Sequence, residues 1–185
     1  SVQTITVLPQ PQAGFTNTLV CAKDMVVFPD TTTGAPTQWS WDFGDGSPLD
    51  ASQSPAHTYL VGGTYNIILI AGNNAGCIDT LQMPITVNSV PVPAFTATSV
   101  CLGNITAFTD GSFDTSPITN YYWDFGDGNN SFASNPNYIY QNPGTYTVTL
   151  TVTNSHGCDS TITDTVTVTG IPVADFVYDT VCVGS

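Results

Sequence analysis

From Thr145 to Thr153 apolar and polar residues alternate, with Tyr146, Val148, Leu150 and Val152 separated by threonines. A period of two puts every second side chain on one face of an extended chain, so the stretch predicts a half-buried antiparallel strand. Tyr65, Ile67, Leu69 and Ala71 keep the same rhythm earlier in the chain, while Ile68 and Ile70 stand where the later copy has threonines and add a small outward apolar patch. A second alternating row is aromatic. Trp39, Trp41 and Phe43, and again Tyr121, Trp123 and Phe125, share one parity and should point inward, with Asp42 and Asp124 on the other face. Each long strand is followed by an Asn-containing turn (Asn73 to Gly76, Asn154 to Gly157) and a final strand ending at Val87 or Val168. No segment carries helical spacing beyond a turn. Short strands broken by Gly, Pro and Asn predict an all-β sandwich.

The pattern occurs twice because the chain is an array. Trp-Asp-Phe-Gly-Asp-Gly stands at Trp41 to Gly46 and again at Trp123 to Gly128. Phe15, Phe95 and Phe176 precede Cys21, Cys101 and Cys182 by one common interval, and Cys77 and Cys158 follow Tyr65 and Tyr146 by another. The period of about 80 residues is longer than a solenoid repeat and suits small domains with separate cores. Ile5-Thr6-Val7 precedes Phe15 as Ile85-Thr86-Val87 precedes Phe95. Residues 1–8 therefore read as the last strand of a preceding repeat, 9–88 as domain 1, 89–170 as domain 2, and 171–185 as the start of a following repeat. The expectation is a linear array within a longer polypeptide.

Charge narrows the partners. Fourteen Asp oppose the single Lys23, with no Arg or Glu, for a formal charge of −13. Binding nucleic acid needs a basic stripe that this chain cannot build, and anionic lipid is disfavoured for the same reason. The longest aliphatic run, Ile67 to Ala71, is far short of a bilayer span, so no direct membrane insertion is expected. A domain this small gains from covalent staples. The simplest connectivity that respects the repeat pairs Cys21 with Cys77 and Cys101 with Cys158, and leaves Cys182 unpaired in this stretch. Such bonds imply an oxidising, extracytoplasmic compartment. Zinc is a poor rival, with no Cys-x-x-Cys pair and only two His.

Candidate chemistry is sparse. Asp-Phe-Gly without any Arg is no kinase metal loop. His57 takes the place of Tyr138 in the other repeat and reads as a packed or rim residue, and His156 sits in a turn. Asp42 with Asp45, and Asp124 with Asp127, allow two readings: caps on tight Gly-containing turns, or ligands to calcium. The lack of Glu excludes an EF-hand loop.

The combined pattern resembles the polycystic kidney disease (PKD) domain. It consists of Trp-Asp-Phe-Gly-Asp-Gly, with Trp41, Asp42, Asp45, Trp123, Asp124 and Asp127 as its structural motif, then Ser54 to Tyr59 and Asn135 to Tyr140, Gly63 to Ile67 and Gly144 to Val148, and Asn73 and Asn154. The resemblance covers both complete repeats and implies tandem immunoglobulin-like β-sandwiches with no enzymatic activity and no obligatory cofactor. Calcium is known in some relatives. The cysteines and Gly157-Cys158-Asp159-Ser160-Thr161 further resemble repeats of giant Bacteroidota surface proteins, including gliding-motility adhesins of the SprB type. That narrower likeness implies a stalk segment at the cell surface, whose partners are neighbouring repeats, an extracellular surface or glycan, and secretion or motility machinery. Bacteroidota also attach O-glycans at Asp-Ser/Thr patterns, which makes Thr31, Thr80, Ser160, Thr165 and Thr180 candidate acceptors. The alternative is a set of accessory modules in a secreted protease or polysaccharide hydrolase.

Overall fold

The computed structural model describes residues 9–17 and 20–177, which form strands, bridges and turns without a helix. The readings of residues 1–8 as a strand, of Cys182 and Thr180, and of 178–185 as part of a following repeat lie outside the described residues. The first repeat contributes β1 (Val20–Cys21), β2 (Met25–Val27), β3 (Gln38–Asp42), β4 (Ala56–Thr58), β5 (Gly63–Gly72) and β6 (Ile78–Asn88). The second contributes β7 (Phe95–Ala97), β8 (Val100–Cys101), β9 (Thr106–Asp110), β10 (Ile118–Asp124), β11 (Asn130–Ser131), β12 (Asn137–Tyr138), β13 (Gly144–Asn154) and β14 (Asp159–Thr169).

In the first repeat the sheet runs β1-β6-β5-β3, with β2-β4 as a separate antiparallel pair. The long β5–β6 hairpin holds one register from Gly63↔Val87 to Gly72↔Ile78, and β1 joins its far edge in parallel, Val20↔Val87 and Cys21↔Asn88. The second repeat keeps the arrangement as β11-β10-β13-β14-β8 and β12-β9-β7. By contacts the chain divides into two compact units. One takes the described residues up to Val92 with Asp114–Thr119 and Thr153–Ser160; the other takes Pro93–Phe113, Asn120–Val152 and the described residues from Thr161 onward.

The alternation predicted from sequence becomes the core. Ile67, Leu69 and Ala71, and Val148, Leu150 and Val152, are fully buried, while Ile68 is half-buried and Ile70 partly exposed. Trp41 and Trp123 are 0% exposed and sit among rings: Phe15 and Phe28 around Trp41, Phe95 and Phe108 around Trp123, with centroids 5.1 to 6.3 Å away. A buried indole needs a partner for its N–H. Trp41 Nε1 donates to the Ser52 carbonyl and Trp123 Nε1 to the Ala133 carbonyl, each at 2.9 Å. Tyr59 and Tyr140 use their hydroxyls in the same way, on the carbonyls of Phe43 (3.1 Å) and Phe125 (3.0 Å). Trp39 shares the inward parity but lies near the sheet end, half-buried, and its Nε1 donates to Asp30 at 3.0 Å.

The cysteine pairing expected from the repeat is corrected. Cys21 does not bond Cys77, nor Cys101 Cys158; Cys21 bonds Cys158, with Cα atoms 5.7 Å apart, while Cys77 and Cys101 are free. Strand length explains why. Cys21 stands opposite Asn88 at one end of β6, whereas Cys77 immediately precedes Ile78 at the other end. Ten residues at about 3.3 Å each separate the two by about 33 Å, and a disulfide spans about 7 Å between Cα atoms at most. Cys101, opposite Thr169, and Cys158, just before Asp159, are held apart along β14 in the same way. The bond that forms lies within the first compact unit, where the turn of Cys158 is fastened to the residue after Asn88: Asn154 Nδ2 donates to the Ser89 carbonyl at 2.9 Å.

Two stability predictions follow from the core. Trp123→Ala should lower the unfolding free energy in urea by about 3–5 kcal/mol, because it empties a ring-lined site and leaves the Ala133 carbonyl unpaired. Thr106, fully buried with no partner for its hydroxyl, occupies the place of Val26 in the first repeat. Thr106→Val should therefore raise stability by about 1 kcal/mol in the same titration.

Candidate functional site

The Trp-Asp-Phe-Gly-Asp-Gly motif closes β3 and β10 with two successive side-chain-capped turns. Asp42 Oδ1 accepts from the Gly44 amide and Asp124 Oδ1 from the Gly126 amide, each at 2.9 Å. Asp45 Oδ1 then accepts from Ser47 (3.0 Å), and Asp127 Oδ1 from Asn129 (3.1 Å). Glycine is required at 44 and 126 for two reasons. Their φ values are 73° and 79°, and a Cβ there would press on the carbonyl oxygens of Asn66 and Thr147.

The second Asp of each motif has a further partner that sequence reasoning missed. His57 Nε2 lies 2.8 Å from Asp45 Oδ2, with its ring flat on Phe43 at a centroid distance of 4.0 Å. In the other repeat Tyr138 donates its hydroxyl to Asp127 Oδ2 at 2.7 Å and stacks on Phe125 at 4.2 Å. The equivalence of His57 and Tyr138 was the available signal; their common acceptor was not. Burial pushes both carboxyls up, yet the hydrogen bonds of Ser47 and His57 on Asp45, and of Tyr138 and Asn129 on Asp127, outweigh it and hold both below the ordinary 3.8. These carboxylates are occupied in capping. Among the described residues no three His, Cys or Asp side chains converge.

The remaining candidates scatter. Thr31, in a loop, Thr80, on β6, and Thr165, on β14, are exposed, and Ser160, also on β14, is half-buried. His156 is exposed in its turn, its amide bonded to Asn154 Oδ1 at 3.0 Å. A shallow polar notch of about 230 Å³ is lined by Gln10, Pro11, Gln12 and Asp79. An exposed aromatic pair also appears. Tyr122 on the outer face of β10 and Phe132 just after β11 lie with ring centroids 5.5 Å apart, Phe132 being 72% exposed. Sequence reasoning singled out neither ring: Tyr122 could have been found as the outward neighbour of Trp123, but Phe132 follows a two-residue strand whose course the sequence pattern does not set.

Filled sandwich cores, capped turns and loops without convergent chemistry define a tandem pair of immunoglobulin-like β-sandwich modules. The sequence profile of the PKD domain matches residues 7–87 and 88–169, and the chain belongs to that family, whose domain is a non-catalytic module. Collagenase ColA of Bacillus cereus is 42% identical over 62 residues, covering 34% of this chain and 6% of that protein. The pre-pro-metalloprotease PrtV of Vibrio cholerae is 37% identical over 87 residues, covering 45% of this chain and 9% of that protein. The chain thus spans less than a tenth of the length of either relative. The crystallised PKD1 domain of Vibrio anguillarum Epp is 34% identical, with a TM-score of 0.43 over 45% of this chain and 99% of that one. No helix among the described residues is long and apolar enough to cross a membrane.

The Asp127–Tyr138 contact predicts an alkaline signature. Burial first, then the hydrogen bond to and charge of Asp127, push the Tyr138 hydroxyl from 10.0 up to about 12. Between those values the unfolded chain has lost a proton that the folded chain keeps, so stability should fall as pH rises through that window. In tyrosine-detected titration Asp127→Asn should bring the Tyr138 midpoint back toward 10.

Proposed function

We propose that the two PKD domains are non-catalytic accessory modules of a longer secreted polypeptide, which help a protease or polysaccharide hydrolase engage a macromolecular substrate. The observation that carries this reading is the Tyr122–Phe132 pair, an exposed aromatic surface on a chain whose other rings are mostly turned inward. Aromatic faces suit stacking on sugar rings or peptide planes. The collagenase and metalloprotease relatives support a place beside a catalytic domain. The Cys21–Cys158 bond supports an extracellular location, because disulfides persist in oxidising compartments.

A second reading is favoured by the covalent tie between the two sequence repeats. In it the chain is a load-bearing stalk segment of a cell-surface adhesin or filament, used in adhesion or gliding motility. Neighbouring repeats and secretion or motility machinery are then its partners, and Thr31, Thr80, Ser160, Thr165 and Thr180 its O-glycan acceptors.

Retention of the chain on insoluble collagen and on insoluble polysaccharide tests the first reading. Alanine at both Tyr122 and Phe132 should weaken retention about tenfold, equivalent to ~1.4 kcal/mol, with the unfolding midpoint unchanged. No retention on either material, or equal retention by the variant, rejects it.

A further inference from the structure

Each repeat presents two cysteine positions, and in each repeat only one of them is bonded. The first position lies at the end of the short parallel strand. Cys21 stands opposite Asn88 and Cys101 opposite Thr169, and the following amides, Ala22 and Leu102, donate to those same partners' carbonyls at 2.9 and 2.8 Å. The second position follows an Asn-x-x-Gly turn. The amides of Cys77 and Cys158 donate to Asn73 Oδ1 (3.1 Å) and Asn154 Oδ1 (3.0 Å). Those two asparagines make one further equivalent contact. Asn154 Nδ2 donates to the Ser89 carbonyl and Asn73 Nδ2 to the Pro9 carbonyl, at 2.9 and 3.0 Å.

That contact explains the bond that exists. Ser89 directly follows Asn88, the residue opposite Cys21, so fastening Asn154 to Ser89 sets Cys158 beside Cys21. Pro9 holds the same place in the first repeat as Ser89 in the second, and Asn73 grips it in the same manner. Cys77 is therefore positioned against the incoming chain as Cys158 is. Cys101 is exposed at the place where Cys21 meets its partner.

We propose that Cys77 and Cys101 are the halves of two further disulfides of the Cys21–Cys158 kind, completed by other PKD repeats of the same polypeptide. Cys101 takes the thiol in Cys158's position of a following repeat, and Cys77 takes the thiol in Cys21's position of a preceding one. Each closure joins two Sγ atoms, releases two protons and passes two electrons to an external disulfide oxidant, which is reduced to two thiols. The inference rests on the secreted location proposed above.

Peptide mapping of the full natural polypeptide, with free thiols alkylated and no reduction, tests it. Cleavage before Asp places the cysteines in separate peptides, ending at Lys23, Ile78, Thr109 and Cys158 and beginning at Asp179. The expected result joins the peptide of Cys21 to that of Cys158, and the peptides of Cys101 and Cys77 to cysteines of neighbouring repeats in the positions stated. Alkylated Cys77 or Cys101 beside an intact Cys21–Cys158 bond overturns the inference and leaves the secreted location standing. A Cys77–Cys101 bond also overturns it, and alkylation of all the cysteines overturns both. In the same polypeptide Cys101→Ser should expose one new alkylatable thiol, in the following repeat, with Cys21–Cys158 retained. A new thiol at Cys77 instead rejects the assignment.

Discussion

In each repeat two strands of ten or eleven residues pair as one long hairpin, and its register governs the rest of the domain. It decides which side chains enter the core, because a slip by one residue would turn Ile67, Leu69 and Ala71 outward together. It also creates two distant ends. One end carries the Asn turn and the second cysteine; the other receives the short parallel strand with the first. The indoles of Trp41 and Trp123 then anchor a neighbouring strand against this hairpin and bind a loop carbonyl outside it.

The acidic residues of the signature motif belong to this framework. Each of Asp42, Asp45, Asp124 and Asp127 satisfies an amide in a turn whose glycine already departs from ordinary backbone geometry. The second pair also accepts from a ring stacked on the motif's own phenylalanine, an imidazole in one repeat and a phenol in the other. Either ring delivers a polar atom to the same carboxylate while covering the same aromatic face. With so few cations in the chain, local hydrogen bonding takes the part that surface ion pairs play in more charged proteins.

Much of this was readable in the residues. Alternation at Tyr146 to Val152 and the aromatic parity around Trp123 located the core, since burial on one face imposes a period of two. The Asn turn was also legible. The disulfide was not. Repeat symmetry matches Cys21 with Cys101 and Cys77 with Cys158, but it carries no information on which end of a strand each cysteine occupies. That needs the parallel pairing of β1 with β6, a contact between segments far apart in sequence. The Tyr122–Phe132 pair was hidden for a related reason, as Phe132 follows a two-residue strand whose pairing no periodicity announces.

The Cys21–Cys158 bond encloses the whole stretch between the repeats, including the proline-containing segment from Val90 to Pro93. A protease that cuts the backbone there would produce two fragments still joined through sulfur. An intact backbone in that segment is thereby made dispensable for keeping the chain in one piece, and separating the two parts takes a reductant as well as a cut.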